Sequence, residues 1–447
     1  MMRLTYDNIY SKLKNNLHKP VENTKLIGLG DKGLAPTAPS NLEDMGVSTD
    51  VLSNLALKLA YTLPKFTARF AASKLCLPLH LVTVLLEQLQ KDGMLEILGQ
   101  AEPFNFRFTI TDRGRARAVR LLEVSGYVGP APVSLNDYTK NLELQFKHLP
   151  EVTPEKVNKA ISHMVLPEDA IHIAGLAVMS RRTLFIYGPP GNGKTLLGHL
   201  LSDAMEGYLW IPYCIGIDNH IIRVFDPECH KVVPIELEDD LMRKIDTRWI
   251  RIRLPFVVVG GELTIEALDL IYIPSLGYYE APLHFKANGG IFLLDDFGCQ
   301  RVEPHKLLSR WILPLERQVD YLTLQTGQQL EVPFRQMLIV STNLDPHKVM
   351  LPAFLRRIGY RLRLSDPAPE RYSEIFRQYA ARYNIVVKPE VIEHLLARYG
   401  AEKRPLRCCE PRDLIERALD ICHFHGQQLE LNKEILELAW RCYFGST

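Results

Sequence analysis

Residues 188–195, GPPGNGKT, carry the clearest chemistry in the sequence. They match the pattern GxxxxGK[ST] at every fixed position, and they lie between the apolar run TLFIY and a helix-type run that begins at Thr195. Phosphate oxygens need several converging backbone N–H donors, and glycines allow the backbone to approach them without side-chain clashes. The first turn of a helix adds its positive end. The sequence therefore predicts a loop that binds the phosphates of a nucleotide.

Two side chains of this loop have predicted roles beyond backbone contact. Lys194 is expected to reach the β- and γ-phosphates, and Thr195 is expected to place its hydroxyl on Mg²⁺. The alternative is a purely structural glycine turn. The predicted nucleotide-binding residues are Gly188, Pro189, Pro190, Gly191, Asn192, Gly193, Lys194 and Thr195.

A second apolar run, GGIFLLDDFG at 289–298, ends in two carboxylates. A site for Mg²⁺ and a nucleotide needs a carboxylate at the tip of a neighbouring strand, and Asp295 fits that role as a metal ligand. Asp296 then lies where a base that polarises water is needed. The alternative is a buried strand that ends in acidic residues at a surface turn.

The spacing of GPPGNGKT, FLLDD and IVSTN resembles the Walker A, Walker B and sensor-1 series of AAA+ ATPases. The resemblance implies ATP hydrolysis with Mg²⁺, and it makes Asn343 the sensor that orients the attacking water. Walker B segments of these proteins usually end in Asp-Glu, whereas Asp296 is one methylene shorter than Glu. A nucleotide-gated scaffold with slow hydrolysis is therefore an alternative to a fast ATPase.

Arginines near the end of the predicted core also receive roles from this resemblance. The segment LPAFLRRIGYRLRL resembles the one that carries the arginine finger, so that Arg356 or Arg357 would enter the nucleotide site of a neighbouring subunit. A solvated basic helix end is the alternative. Arg412, in CEPRDLIERALD, resembles sensor 2, which touches the γ-phosphate within its own subunit. A finger implies a homo-oligomer of the ring type.

The elements around these motifs predict an α/β fold. The strand-like runs TLFIY, FVVVGG, GIFLLDD and MLIVSTN alternate with helical runs, which is typical of a parallel sheet sandwiched by helices. The run QVDYLTLQTGQQLEVPF predicts a β-hairpin. It resembles the hairpin before sensor 1 in the AAA+ branch of MoxR-type ATPases, magnesium chelatases and replicative helicases.

Punctuation by glycine and proline divides the chain into parts. Three helix-type runs followed by two strand-type runs predict an N-terminal winged helix-turn-helix, and the helical pattern of the tail predicts a C-terminal lid. The predicted parts are an arm or linker at 1–49, the winged helix at 50–126, a linker at 127–150, the AAA+ nucleotide-binding core at 151–365 and the lid at 366–447.

The partner of the winged helix is open to two interpretations. Its third helix is predicted to expose His80 and Glu87 but no arginine, which favours docking on protein. Arg113, Arg117 and Arg120 share one face of the following helix, so contact with DNA phosphates is the alternative. We expect an oligomeric ATPase that remodels a client protein. A DNA-docking ATPase of the helicase-loader, initiator or transposition type is the second candidate.

Composition limits the remaining classes. The net charge of +1 predicts no global attraction to nucleic acid or acidic membranes, and 47% hydrophobic residues are ordinary for a globular protein. The eight cysteines include no CxxC pair, which favours reduced thiols over a disulfide scaffold or a zinc site. Without a secretory signal or an apolar run long enough for a membrane span, the expected location is the cytoplasm.

The segment at 205–289 is a long insertion between the phosphate loop and the second carboxylate motif. Tyr278 and Tyr279 lie in it. They are candidates for aromatic residues that face the central pore of a ring, and the alternative is an ordinary place in a core or at a sheet edge.

Overall fold

The computed structural model describes residues 26–30, 33–102, 105–346, 352–427 and 430–445. Its N-terminal part combines helices with a small sheet. Its elements are α1 (Thr49–Tyr61), β3 (Phe66–Thr67), α2 (Ala68–Leu75), α3 (Leu79–Lys91), β4 (Leu95–Glu102), β5 (Asn105–Ile110) and α4 (Asp112–Val124). The sheet is antiparallel with the order β3-β5-β4. Thr67 caps α2, because its hydroxyl accepts a hydrogen bond from the N–H of Phe70 at 3.2 Å.

Residues 26–30 and 33–49, predicted as part of an arm or linker, are packed against the rest of the chain. They include an antiparallel pair of strands, β1 (Leu26–Gly28) and β2 (Leu34–Pro36), in which Leu26, Ile27 and Ala35 are buried. Met45 is also buried, in a short 3-10 helix. The prediction is wrong for this stretch, because its few apolar residues pair and pack in spite of the turn formers between them. Residues 1–25 of the predicted arm lie outside the described residues.

A five-stranded parallel sheet forms the centre of the protein and confirms the predicted α/β fold. Its strands are β7 (Leu184–Tyr187), β12 (Phe256–Val259), β15 (Ile291–Leu294), β18 (Met337–Thr342) and β19 (Tyr360–Arg363). Their order is β12-β15-β18-β7-β19, and every neighbouring pair is parallel. Sequence reasoning had not assigned β19 to the sheet, because its alternating arginines are those of a strand at the edge.

Successive side chains of each strand enter two separate cores, one on each face of the sheet. Leu184 and Ile186 belong to the first core, whereas Phe185 between them belongs to the second. The helices on the first face are α6 (Pro154–Ile161), α7 (Glu168–Met179) and α8 (Lys194–Ala204). Those on the second face are α11 (Pro304–Arg317) and α12 (Pro352–Leu355). Helices therefore cover both faces of the sheet, as predicted.

The predicted linker at 127–150 is wrong, because most of it is a strand and a helix. β6 (Val133–Ser134) pairs with the long insertion, and α5 (Leu135–Lys147) packs on the first core. Tyr138 of this helix is buried, and its hydroxyl accepts a hydrogen bond from the side-chain amide of Asn288 at 3.2 Å. Because polar residues are interspersed with the apolar ones in this stretch, its amphipathic helix was not evident from the sequence.

Four strands of the long insertion, together with β6, form a second five-stranded sheet with the order β13-β14-β10-β9-β6, and two more strands of the insertion, β8 and β11, form a separate pair. Its elements are β8 (Tyr208–Pro212), β9 (Cys214–Ile217), β10 (His220–Arg223), α9 (Asp239–Met242), β11 (Trp249–Arg253), β13 (Ile271–Ile273), β14 (Tyr278–Glu280) and α10 (Leu283–Lys286). Tyr279 is 2% exposed, and Tyr278 packs edge-on against Tyr127. A pore role for Tyr279 is therefore wrong, because its ring lies in the core.

The predicted hairpin before β18 is present. It consists of β16 (Val319–Thr323) and β17 (Gln329–Pro333), which pair antiparallel on either side of Gly327. Gly327 has a positive φ of 84°, which suits the turn between the strands.

The C-terminal part is helical and has a core of its own. Its helices are α13 (Pro369–Ala381), α14 (Pro389–Ala401), α15 (Glu410–Phe424) and α16 (Lys433–Phe444). Pro389 and Pro411 lie in the first turns of α14 and α15, where proline is favoured because the first N–H groups of a helix have no partner within it.

Within the described ranges, no single helix is long and apolar enough to cross a membrane. The pair α2 and α3, bent by 114° at their junction, meets the criteria of length and composition only when the two are taken together.

Candidate functional site

The GPPGNGKT loop connects the end of β7 to the start of α8. Gly188, Gly191 and Gly193 have φ angles of 142°, 83° and 82°, in a region that side chains rarely allow. A Cβ atom on Gly188 would lie 2.0 Å from the carbonyl oxygen of Leu364, which is too close for any side chain. These glycines therefore allow the backbone to curl around one point in front of α8.

Lys194 occupies the centre of this curl. Its side chain is mostly buried, and its Nζ donates hydrogen bonds to the carbonyl oxygens of Gly188 (3.0 Å) and Pro189 (2.9 Å) and to Oδ1 of Asn343 (2.6 Å). Burial lowers the pKa of Lys194, although the carboxylates of Asp296 and Asp295 act in the opposite direction. That Lys194 reaches the β- and γ-phosphates of a nucleotide stays a prediction.

The Asp295 carboxylate accepts hydrogen bonds from two other elements of the site, α8 and β18. Its Oδ2 accepts a hydrogen bond from the hydroxyl of Thr195 at 2.7 Å, and its Oδ1 accepts one from the hydroxyl of Ser341. Asp295 follows β15, Thr195 belongs to α8, and Ser341 lies in β18, so parallel strand ends bring the three together.

A hydroxyl beside a carboxylate is a hard-oxygen donor set, which fits Mg²⁺ shared with phosphate oxygens. Thr195 and Asp295 would hold that ion. Elsewhere in the described part of the chain, no three His, Cys, Asp or Glu side chains converge as metal ligands.

Asp296 and Asn343 form the third contact of the site. The Nδ2 of Asn343 donates to Oδ1 of Asp296 at 2.9 Å, while its Oδ1 accepts from Lys194. Asp296 has a φ of 47°, an uncommon conformation for a residue with a side chain. The side-chain amide of Gln300 supports it by donating to the carbonyl oxygens of Asp295 (3.1 Å) and Asp296 (3.3 Å).

A cavity of about 640 Å³ opens beside the loop and is large enough for a nucleotide. The loop, Asp296 and Asn343 line its polar side. Apolar residues such as Met164 and Leu166, which precede α7, line another side. The C-terminal helices close it with Ile375, Gln378, Tyr379, Arg382, Cys408, Cys409 and Arg412. The cavity thus offers apolar surface for a base next to polar groups for phosphates.

The predicted arginines differ in whether they line this cavity. Arg412 lines the cavity, and its guanidinium also donates to Asp413 at 2.8 Å. Arg356 and Arg357 do not line it; Arg357 is paired with Glu316 at 2.6 Å, whereas Arg356 is exposed. Of the three predicted arginines, Arg412 is therefore the one that lines the cavity with the loop and Asp296.

Sequence reasoning missed several residues of the site. Ser341 and Gln300 orient the carboxylate pair, and their only signal was their place next to a predicted motif. Cys408 and Cys409 lie beside the loop, whereas Cys422 is buried among the C-terminal helices. Burial raises the pKa of Cys408 to about 11, so its thiol is protonated near neutral pH.

The fold and the site define an α/β protein of the P-loop class, in which a strand, the GxxxxGK[ST] loop and a helix follow one another. Residues 368–442 match the family model described as "Domain of unknown function (DUF8689)", which covers the C-terminal helices. A comparison with curated proteins finds no match.

Among solved structures, the chain is similar to the P216G mutant of Thermotoga maritima RuvB. The identity is 12% and the TM-score 0.36, over 70% of this chain and 73% of that one. It is also similar to Brucella abortus NtrX in complex with ATP, with 14% identity and a TM-score of 0.37, over 66% of this chain and 55% of NtrX. Such low values establish neither a family nor a function.

The substitution Gly188→Ala tests the geometry of the loop. Because its Cβ would meet the Leu364 carbonyl oxygen, we expect the free energy of unfolding to fall by about 1–3 kcal/mol and binding of a fluorescent ATP analogue to be lost. Gly400→Ala is the matched control, since no atom lies within 4 Å of a Cβ there. Denaturant unfolding and fluorescence titration measure the two effects. Binding by Gly188→Ala equal to that of the wild type would contradict the described loop.

Proposed function

We propose that this chain is an AAA+ ATPase that hydrolyses ATP with Mg²⁺ and works as an oligomer to remodel a protein or protein complex. The observation that carries this proposal is the convergence of three contacts at one edge of the sheet: Lys194 with Asn343, Thr195 with Asp295, and Asn343 with Asp296. A phosphate-binding loop alone would support nucleotide binding. The added carboxylate and amide support hydrolysis.

The residues divide the work of phosphoryl transfer to water. Backbone N–H groups of the loop and the start of α8 bind the phosphates, and Lys194 offsets their negative charge. Thr195 and Asp295 would hold Mg²⁺, which would supply further positive charge for the transition state. Asn343 orients a water molecule, and Asp296 takes a proton from it as its oxygen bonds to the γ-phosphorus. The bond from that phosphorus to the bridging oxygen breaks, and ADP and phosphate leave.

The short side chain of Asp296 is compatible with this role. Its carboxylate lines the cavity and reaches the amide of Asn343 at 2.9 Å, so the missing methylene does not separate the two groups. The left-handed backbone of Asp296 directs the side chain there. These contacts favour hydrolysis over a nucleotide-gated scaffold that only binds ATP.

The placement of the two finger candidates supports an oligomer, because neither Arg356 nor Arg357 lines the cavity of its own chain. Arg412 of α15 lines it, together with Gln378 and Tyr379 of α13 and Arg382, the residue after α13. Of the two finger candidates, Arg357 is engaged by Glu316, whereas Arg356 is exposed. We therefore assign the finger that completes a neighbouring site to Arg356.

The N-terminal unit is proposed to be a winged helix that docks on a client protein. Its third helix and first ribbon strand expose the apolar residues Val84, Ile97 and Leu98, at 43–51% of their surface. Exposed apolar side chains on one element pair suit a protein partner better than a phosphate backbone.

A DNA partner is the second candidate, and the arginines of α4 favour it. Arg113, Arg117 and Arg120 are exposed on this helix, and Arg117 donates to Asn54 at 3.3 Å. Their spacing presents several positive charges on one side of the helix, as contact with DNA phosphates requires.

Substitutions of the phosphate loop and the aspartate pair test the ATPase proposal. We expect Lys194→Ala and Asp295→Ala to lower steady-state ATP turnover about 100-fold or more, because charge stabilisation is lost. Asp296→Asn should lower turnover by about 10²–10⁴-fold and still bind ATP, because only the proton acceptor is removed. Lys306→Ala, an exposed lysine on α11, is the control. If Asp296→Asn turns over ATP at the wild-type rate, Asp296 is not the proton acceptor. A wild type that binds ATP without turning it over would instead support the scaffold interpretation.

Oligomers mixed from two variants test whether Arg356 acts as an arginine finger in the site of a neighbouring subunit. Arg356→Ala should turn over ATP about 10³-fold more slowly than wild type, and Lys194→Ala should be inactive. An equal mixture should regain turnover, because a Lys194→Ala subunit can offer its Arg356 to the intact site of an Arg356→Ala neighbour. Turnover is measured before and after mixing, with Arg357→Ala in place of Arg356→Ala as the comparison. A mixture as inactive as its components would argue against a shared site.

Salt-dependent binding separates DNA from a protein client. If α4 contacts phosphates, the double substitution Arg113→Ala and Arg117→Ala should reduce the slope of log affinity against log salt by about 2, since each contact contributes about 0.9. Arg441→Ala, an exposed arginine on α16, is the control. A wild-type chain that ignores duplex DNA at low salt would eliminate the second candidate.

A further inference from the structure

The side chain of Asn192, inside the phosphate loop, contacts two distant segments of the chain. It is 2% exposed. Its Nδ2 donates a hydrogen bond to Oδ1 of Asp366 at 2.8 Å, and its Oδ1 accepts one from the backbone N–H of Cys408 at 3.2 Å. Both ends of the amide are therefore used in a buried place, where an unpaired polar group would be costly.

One partner lies in the connection between the sheet and the C-terminal helices, and the other lies in a loop between two of those helices. Asp366 lies between β19 and α13, where the chain leaves the sheet. Cys408 lies just before α15, the helix that carries Arg412. Next to it, the N–H of Cys409 donates to the carbonyl oxygen of Gly191 at 2.9 Å. The loop is thus tied to the beginning of the helical part and to the helix that points Arg412 into the cavity.

The segment around Cys408 is also anchored in the core of the helical part. Glu410 is buried, and its Oε2 accepts hydrogen bonds from the N–H of Arg407 (3.1 Å) and the hydroxyl of Tyr399 (2.8 Å). Tyr399 in turn accepts one from the hydroxyl of Tyr372 at 3.0 Å. A shift of this segment relative to the loop would therefore move the helical part rather than bend the segment alone.

We propose that Asn192 is a positioning residue that couples the phosphate loop to the orientation of the C-terminal helices and hence to the position of Arg412. This inference rests on the proposed ATPase function and adds a residue with a role beyond phosphate binding. Asparagine suits the position because one arm must donate and the other must accept. Aspartate cannot donate, and alanine can do neither.

The first experiment measures ATP turnover and the affinity for an ATP analogue in Asn192→Ala and in the wild type. We expect kcat for ATP to fall about 10- to 100-fold, because a small displacement of an aligned group is enough for such a loss. The Kd of a fluorescent ATP analogue should change less than about threefold, because the loop amides and Lys194 remain. Asn432→Ala is the matched control, since Asn432 only caps α16 by accepting from the N–H of Ile435 at 2.9 Å.

An exchange of the two side chains separates coupling from loop damage. Asn192→Asp places a carboxylate opposite Asp366 and should lower kcat about as much as alanine does. Asp366→Asn alone keeps an acceptor and should stay near wild type. The double variant Asn192→Asp with Asp366→Asn restores a donor and an acceptor in reversed order, so kcat should recover to within about threefold of wild type. A double variant no better than Asn192→Asp would overturn the proposal.

Amide hydrogen exchange follows the coupling directly and does not depend on turnover. In Asn192→Ala without nucleotide, the amides of residues 406–412 should exchange at least about tenfold faster than in the wild type. In the wild type, a non-hydrolysable ATP analogue should slow exchange in the loop and in 406–412 together, whereas in Asn192→Ala it should slow only the loop. Unchanged exchange in 406–412 would refute the coupling. A wild type that binds and hydrolyses no ATP would refute the proposed function instead.

Discussion

The hydrogen bond between the Thr195 hydroxyl and the Asp295 carboxylate is the interaction on which the site depends. It joins α8, the helix after the phosphate loop, to the residue that follows β15. Ser341 of β18, the strand between β7 and β15, donates a second hydrogen bond to the same carboxylate. A partly buried carboxylate is stable only with such donors around it. Because β7, β18 and β15 are parallel and adjacent, their carboxyl ends deliver all three groups to one edge. The order and direction of these strands therefore decide which side chains meet at the site.

The backbone at the same edge is unusual at Asp296. This residue adopts a left-handed conformation, and Gln300 donates hydrogen bonds to the backbone carbonyl oxygens of Asp295 and Asp296. In this arrangement the Asp296 carboxylate accepts a hydrogen bond from the amide of Asn343. Uncommon backbone conformations of this kind are frequent at functional sites.

The helical part has a core of its own and contacts the phosphate loop mainly through polar groups. The N–H groups of Cys408 and Cys409 donate to Asn192 and Gly191 of the loop, and Arg412 lines the cavity beside it. Few polar contacts between two packed bodies permit a change of angle, whereas a continuous apolar core would not. The N-terminal unit, in contrast, shares its core with the insertion through Cys214 and Ile221. Motion is therefore expected between the sheet and the C-terminal helices.

The sequence by itself determined the phosphate loop, the carboxylate pair, the alternation of strands and helices, and the hairpin, because each depends on residues close together in the chain. It did not reveal that 26–30, 33–49 and 127–150 contribute to the cores, since their apolar residues pack against residues far away in sequence. Nor did it reveal the hydrogen bonds of Asn192, whose partners are 174 and 216 residues distant. Only the tertiary structure decided these points, because contacts between distant segments leave no periodic pattern in the chain.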